Sequence, residues 1–71
     1  MKKSSVLLFL CDDLKMGKKL KINKVCNLYE ISIPTFRRYI SALREYFLDR
    51  YNKDIVYDKD TKSYLLVDDL S

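Results

Sequence analysis

Phe36, Ile40, Leu43 and Phe47 recur at steps of four, three and four residues, which is the period of one face of an α-helix. This stripe fixes the centre of any fold the chain can adopt. Ser32 stands just ahead of it and can accept a hydrogen bond from an otherwise orphaned backbone N–H, while Pro34 falls in the first turn, where a missing N–H costs little. The spacing therefore predicts a helix starting near Ile33 and covering about 33–48. Taking about 100° per residue, Arg37, Arg38, Ser41 and Glu45 fall on the opposite side. One face must be covered by a second apolar layer, and the other is offered to water or to a polar partner.

The rest of the chain must supply that layer from few residues. At 71 residues it is a single domain near the lower limit at which a chain buries enough surface to fold unaided. Hydrophobic content of 48% with 13% aromatic supports a folded domain. A single Gly and a single Pro favour continuous helices over long binding loops. Function then sits on regular elements, and a large catalytic cleft has no room.

The composition also argues against chemistry. There is no histidine, and Cys11 and Cys26 are 15 positions apart without a CxxC pair, so the common zinc spacings are excluded. Each cysteine sits beside an apolar residue and reads as a reduced, buried hydrophobe, with a disulfide between the two as the second reading. No glycine-rich phosphate loop or nucleophile elbow occurs, and the pairs Asp12-Asp13 and Asp68-Asp69 resemble no two-carboxylate site. The expectation is a protein that is not an enzyme, with no catalytic residues, cofactor or metal. After Met1-Lys2-Lys3, the apolar run Val6 to Cys11 spans six residues and ends at Asp12-Asp13, short of a signal peptide and of a membrane span. A cytoplasmic protein without a membrane partner is expected.

Charge is unevenly spread. Residues 1–50 carry 11 Lys/Arg against 5 Asp/Glu, net +6, whereas residues 51–71 carry 3 against 5, net −2. A basic front suits a polyanion, because each neutralised phosphate releases counterions.

Along the chain, Ser4 or Ser5 is the expected N-cap of a first helix reaching Met16, with Gly17 ending it. Val6, Leu7, Leu10, Cys11 and Leu14 share one side of that helix. Leu8 and Phe9 fall outside this stripe, and burial under the terminal strands is expected for them. Lys18 to Ile22 reads as a short edge strand. Asn23 is the expected cap of a brief second helix to Tyr29, with Val25, Leu28 and Tyr29 inward. A short helix, a tight connection and a longer capped helix make a helix-turn-helix pattern. Ile55-Val56-Tyr57 and Tyr64 to Val67 flank a polar, glycine-free stretch, which predicts a β-hairpin over about 54–67 with a four- to six-residue loop. Val67 to Ser71 reads as a frayed end.

Ile31-Ser32-Ile33-Pro34-Thr35-Phe36-Arg37-Arg38-Tyr39-Ile40-Ser41-Ala42-Leu43 resembles the Val/Ile-Ser-x-x-Thr-hydrophobic-x-Arg-x-hydrophobic-x-x-Leu segment of the winged helix-turn-helix domains of DeoR-type regulators and of WYL-domain transcription regulators. Ile55-Val56-Tyr57-Asp58 and Tyr64-Leu65-Leu66 resemble the same domains' ending, so the likeness covers roughly Val6 to Leu66. It implies an α+β fold, a winged helix-turn-helix of three helices, a short strand and a C-terminal β-hairpin wing. It also implies sequence-specific double-stranded DNA binding and transcription regulation. The chain would be the DNA-binding head of a larger regulator or a free-standing small regulator, with a homodimer or a larger regulatory protein as further partners. Two positions depart from the family's usual residues: Pro34 stands where arginine is frequent, and Tyr39 where aspartate is. Base preference should differ accordingly.

Expected DNA contacts follow. Ser32, Ile33, Pro34 and Thr35 lie at the helix N-terminus, where backbone N–H groups favour a phosphate. The side chain of Pro34 can offer only an apolar surface, for example to a thymine methyl. Arg37 and Ser41 are the candidates for base edges, since one arginine can bond two guanine acceptors, and Arg38 can serve either base or phosphate. Lys21, Asn23 and Lys24 would meet phosphate at the second helix, and Lys59 and Lys62 at the wing tip, where Asp58 and Asp60 oppose them. The plain alternative is a solvated surface, with Arg37 and Arg44 paired to Glu45 or Asp49. A different functional class is an interaction or assembly module whose basic helix docks on an acidic protein; Leu8, Phe9, Tyr39 and Tyr46 could then form an apolar interface with a second copy, although packing within the small domain is the expected role for them.

Overall fold

A computed structural model describes residues 3–68. The elements run α1 (Lys3–Lys15), β1 (Leu20–Lys21), α2 (Ile22–Tyr29), α3 (Ile33–Tyr51), β2 (Lys53–Asp58) and β3 (Ser63–Asp68). The fold is α+β, three helices with one antiparallel three-stranded sheet in the order β1-β3-β2.

The helix predicted over about 33–48 is α3, three residues longer than the stripe required. Ser32 caps it from an extended conformation, its Oγ accepting from the Thr35 N–H at 3.3 Å, with Pro34 in the first turn. Phe36, Ile40, Leu43 and Phe47 are all buried. They pack with Val6, Leu10 and Leu14 of α1, Leu20 of β1, Val25 of α2 and Ile55 of β2 in one core. The helix stops at Asn52, which takes the left-handed conformation (φ 54°) and returns its N–H to the Phe47 carbonyl.

At the C-terminus of α1, Gly17 adopts φ +80°. Its N–H reaches the Leu14 carbonyl at 3.1 Å and the Lys18 N–H reaches that of Asp13 at 2.9 Å. This paired closure needs a left-handed residue, which glycine supplies without a Cβ penalty. The other end corrects the expectation. Ser4 and Ser5 lie inside α1 rather than capping it, because the helix begins at Lys3, and the residue ahead of Lys3 is outside the described residues.

Two further expectations fail in α2. Asn23 is an internal residue of that helix, and Lys21 holds the cap position with no side-chain hydrogen bond. The strand runs directly into the helix, since Lys21 is still paired with Ser63 of β3, and that pairing sets where the helix begins. Ile22, Val25, Cys26 and Tyr29 share one arc at helical spacing and all meet the core. Leu28 is left at the edge of the arc, 66% exposed. Glu30, at φ 54°, closes the helix, and three residues join α2 to α3.

The hairpin forms as predicted. β2 and β3 pair from Lys53↔Asp68 to Asp58↔Ser63, leaving the four-residue connection 59–62. Val67 and Asp68 belong to β3 rather than to a frayed end, and Asp69, Leu70 and Ser71 lie outside the described residues. Leu20 pairs with Tyr64, so the short strand is at an edge of the sheet as expected. Leu8 and Phe9 are not covered by the strands: they are 64% and 43% exposed. α1 turns Val6, Leu10 and Leu14 toward α3, β1 and β3, and away from the strands Phe9 lies instead against Tyr29 of α2, with ring centroids 6.1 Å apart. Cys11 and Cys26 are free and half-buried, and burial pushes the Cys11 thiol above its ordinary value, with Lys15 partly opposing.

Candidate nucleic-acid interface

The buried stripe of α3 turns its other side outward. Arg37, Arg38 and Ser41 are exposed there, held in register by the Ser32 cap below and by the Phe36 ring, which meets Tyr64 of β3 at 5.7 Å between centroids. Tyr64 in turn meets Tyr57 of β2 at 5.1 Å, so one aromatic row ties α3 to both strands of the hairpin. A cleft of about 270 Å³ runs between helix and hairpin, lined by Arg37, Ile40, Ser41, Arg44, Ile55 and Tyr64. The two residues singled out for base contact therefore share one cleft, whereas Arg38 lies outside it.

Arg44 forks onto Asp54, Nε to Oδ1 at 2.7 Å and Nη2 to Oδ2 at 3.2 Å. Neither Glu45 nor Asp49 takes it, correcting the expected pairing, and Arg37 and Arg38 make no ion pair among the described residues. Asp54 Oδ1 also accepts from the Ile55 N–H at 2.8 Å. The Arg44 hydrogen bond, helped by that N–H, holds the Asp54 carboxyl below the usual carboxylate range. Asp58 is lowered likewise, chiefly by Lys19, whose Nζ lies 3.2 Å from Oδ2, and then by the Asp60 N–H.

These two carboxylates link acidity to stability. A carboxyl whose folded value is depressed contributes stability that is complete above its unfolded value, about 3.9, and is lost as pH falls through the folded value. The urea midpoint is expected to hold from neutral pH to about pH 5 and to drop below about pH 4. Asp54→Asn should lower the midpoint at neutral pH and make the acid drop shallower; an unchanged acid limb in urea melts of this variant would contradict the assignment.

At the N-terminus of α3, Ser32 Oγ donates to Thr35 Oγ1 at 2.9 Å while accepting the Thr35 N–H. Ser32, Ile33 and Pro34 are exposed and Thr35 half-buried. Lys21 and Lys24 line a second groove, of about 230 Å³, with Lys18 and Lys19. Those last two were missed. The run Lys18-Lys19-Leu20-Lys21 is legible as basic and leads straight into α2, but the groove that gathers its lysines with Lys24 forms only in the fold. Asn23 is exposed on α2, and Lys59 and Lys62 are exposed on the hairpin connection, well away from the α3 N-terminus in sequence. Asp58 is committed to Lys19, so it opposes those two lysines less than its position suggests. Tyr39 is half-buried against the core, and its hydroxyl finds no hydrogen-bond partner among the described residues; its ring serves packing rather than the exposed face.

No group of three or more His, Cys, Asp or Glu among the described residues could hold a metal ion. No described helix is long and apolar enough to cross a membrane. Comparison with protein-family models, with curated proteins and with solved structures gives no match for the chain.

Proposed function

We propose that the chain is a winged helix-turn-helix domain that binds double-stranded DNA sequence-specifically, as a small transcription regulator or the DNA-binding head of one. The observation that carries this reading is Arg37: it is exposed on a capped helix, in the same cleft as Ser41, and unclaimed by any described carboxylate while Arg44 is taken by Asp54. The element order and the strand order β1-β3-β2 support the same reading, because they put a hairpin beside the C-terminal part of a helix-turn-helix pair. In this arrangement α3 enters the major groove, with its N-terminal residues nearest the bases. Ser32 and Thr35 position the helix on phosphate through the helix N-terminus, Arg37 and Ser41 read base edges, and Lys21 and Lys24 add sequence-independent attraction.

Titration of labelled duplexes at increasing ionic strength tests this. Affinity should fall linearly in log–log form with salt, with a slope of about −0.9 per phosphate neutralised, and selection from a random pool should return a shared motif. Binding that is absent even at low ionic strength would refute the proposal. Capture of an acidic protein by a chain that ignores DNA would favour the interaction-module reading instead.

A further inference from the structure

The groove between the end of α1, β1 and α2, about 230 Å³, gathers Lys18, Lys19, Lys21 and Lys24 against a single acid, Asp13. Its floor is apolar: Leu20 and Val25 are buried, and Leu28 is left 66% exposed. We propose that this groove docks an acidic segment of a partner protein with an aliphatic side chain beside its acidic cluster, the carboxylates meeting the lysines and the aliphatic group covering Leu28.

Charge selects the acidic part. Two of the cations are already answered, since Lys18 lies 3.9 Å from Asp13 and Lys19 lies 3.2 Å from Asp58. Lys21 and Lys24 make no ion pair among the described residues. The groove therefore holds a surplus of positive charge. All four cations are lysines, point charges that meet single carboxylates without the bidentate geometry that makes arginine the usual reader of phosphate.

The course of α2 selects the aliphatic part. Lys21, Lys24, Val25 and Leu28 fall at helical spacing on one side, over a length of about 10 Å. The cations stand at the start of this stripe and Leu28 at its end, where Tyr29 stacks on Phe9 of α1 with 24° between the rings. An occupant laid along the stripe meets charge first and apolar surface one to two turns later. Nucleic acid fits less well: a sugar-phosphate chain brings nothing to cover Leu28, and the Tyr29 ring, which could stack a base, packs on the core and already faces Phe9. An anionic membrane also fits less well, because Asp12 and Asp13 share the outer side of α1 with Phe9. The inference concerns a groove separate from the exposed face of α3 and does not require that the chain bind DNA, although Lys21 and Lys24 would serve both ligands.

Fluorescence anisotropy of the full chain under reducing conditions and at low ionic strength, with a short labelled peptide bearing a glutamate cluster followed by leucines, tests it. Replacing the peptide's leucines by serine should weaken binding about tenfold, and Leu28→Ser should do the same, the scale of one leucine returned to water. Together the two changes should cost little more than either alone, because they remove one shared contact. Lys18→Glu should weaken the peptide too, whereas Leu8→Ser, at a leucine equally exposed but outside the groove, should leave it unchanged. Amide shifts on titration with the peptide should cluster over 18–29. The serine peptide is compared on the unaltered chain, so the test holds even if Leu28→Ser loses helical structure by circular dichroism. Duplex titrations of the unaltered chain decide the DNA reading separately. Equal affinity for the leucine and serine peptides, shifts confined to α3, or tighter Leu28-dependent binding of a single-stranded oligonucleotide or of phosphatidylserine vesicles than of the peptide would overturn the inference.

Discussion

Phe36→Ala is expected to lower stability by about 3 to 5 kcal/mol, the usual cost of truncating a buried phenylalanine. Phe36 is fully buried, at 0% exposure, in a core made of ten residues from five elements. A domain of this length holds only roughly 4 to 10 kcal/mol in total, so the variant should lose a third or more of its margin. With a urea dependence of about 1 kcal/mol per molar for so small a chain, the midpoint followed by far-ultraviolet circular dichroism should fall by about 3 M. A fall below about 1 M would mean that the site collapses onto the gap or that the ring is not central. The consequence reaches beyond stability, because the Phe36–Tyr64 contact is one of the ties holding the hairpin at its angle to α3. A core-preserving control, Phe36→Leu, should retain more of both.

Arg37→Ala is expected to cost about 1 to 3 kcal/mol at the preferred duplex and to relax the base preference there, a loss of roughly 5- to 150-fold in affinity. Arg37 makes no ion pair among the described residues, so its removal leaves no carboxylate stranded and the fold should be untouched. Lys24→Ala provides the contrast. It should weaken every duplex alike and make the salt slope shallower by about one unit, as expected of a phosphate contact. Competition titrations with matched and scrambled duplexes separate the two behaviours. Equal losses on both duplexes for Arg37→Ala would remove it from base readout and move that role to Arg38 or Ser41.

The parts of this fold that a reader can extract from residues alone are those governed by local period and local chemistry. The stripe on α3, the Ser32 cap, the Gly17 stop and the four-residue hairpin connection all depend on neighbours within a few positions. What resisted reading depends on distant partners. Asn23 has the chemistry of a cap, but pairing of Lys21 with Ser63 decides where α2 starts; Leu28, about 100° round the helix from Tyr29, falls outside the arc that α2 turns to the core. Ser4 and Ser5 fail because an isolated cap signal does not fix which residue opens a helix. Arg44 and Asp54 are separated by the turn at Asn52, a left-handed residue that is not glycine and so gives little warning of itself. In the candidate interface, the sequence puts Arg37, Arg38, Ser41 and Glu45 on one side of the helix, and only the hairpin's placement distinguishes Arg37 and Ser41, which share the cleft, from Arg38, which does not.

β1 is only two residues long, but it joins Leu20 to Tyr64, 44 positions later. Within α3 through β3 a tie such as Phe36–Tyr64 closes a shorter stretch of chain than this pairing does, and the entropic cost of closure grows with the logarithm of loop length. The short strand is thus one of several ties between the N-terminal elements and the hairpin, beside the direct packing of α1 on β3. The cleft that holds Arg37 is set at a different seam, the Phe36–Tyr64 and Arg44–Asp54 contacts between α3 and the hairpin, so its shape can outlast the opening of β1.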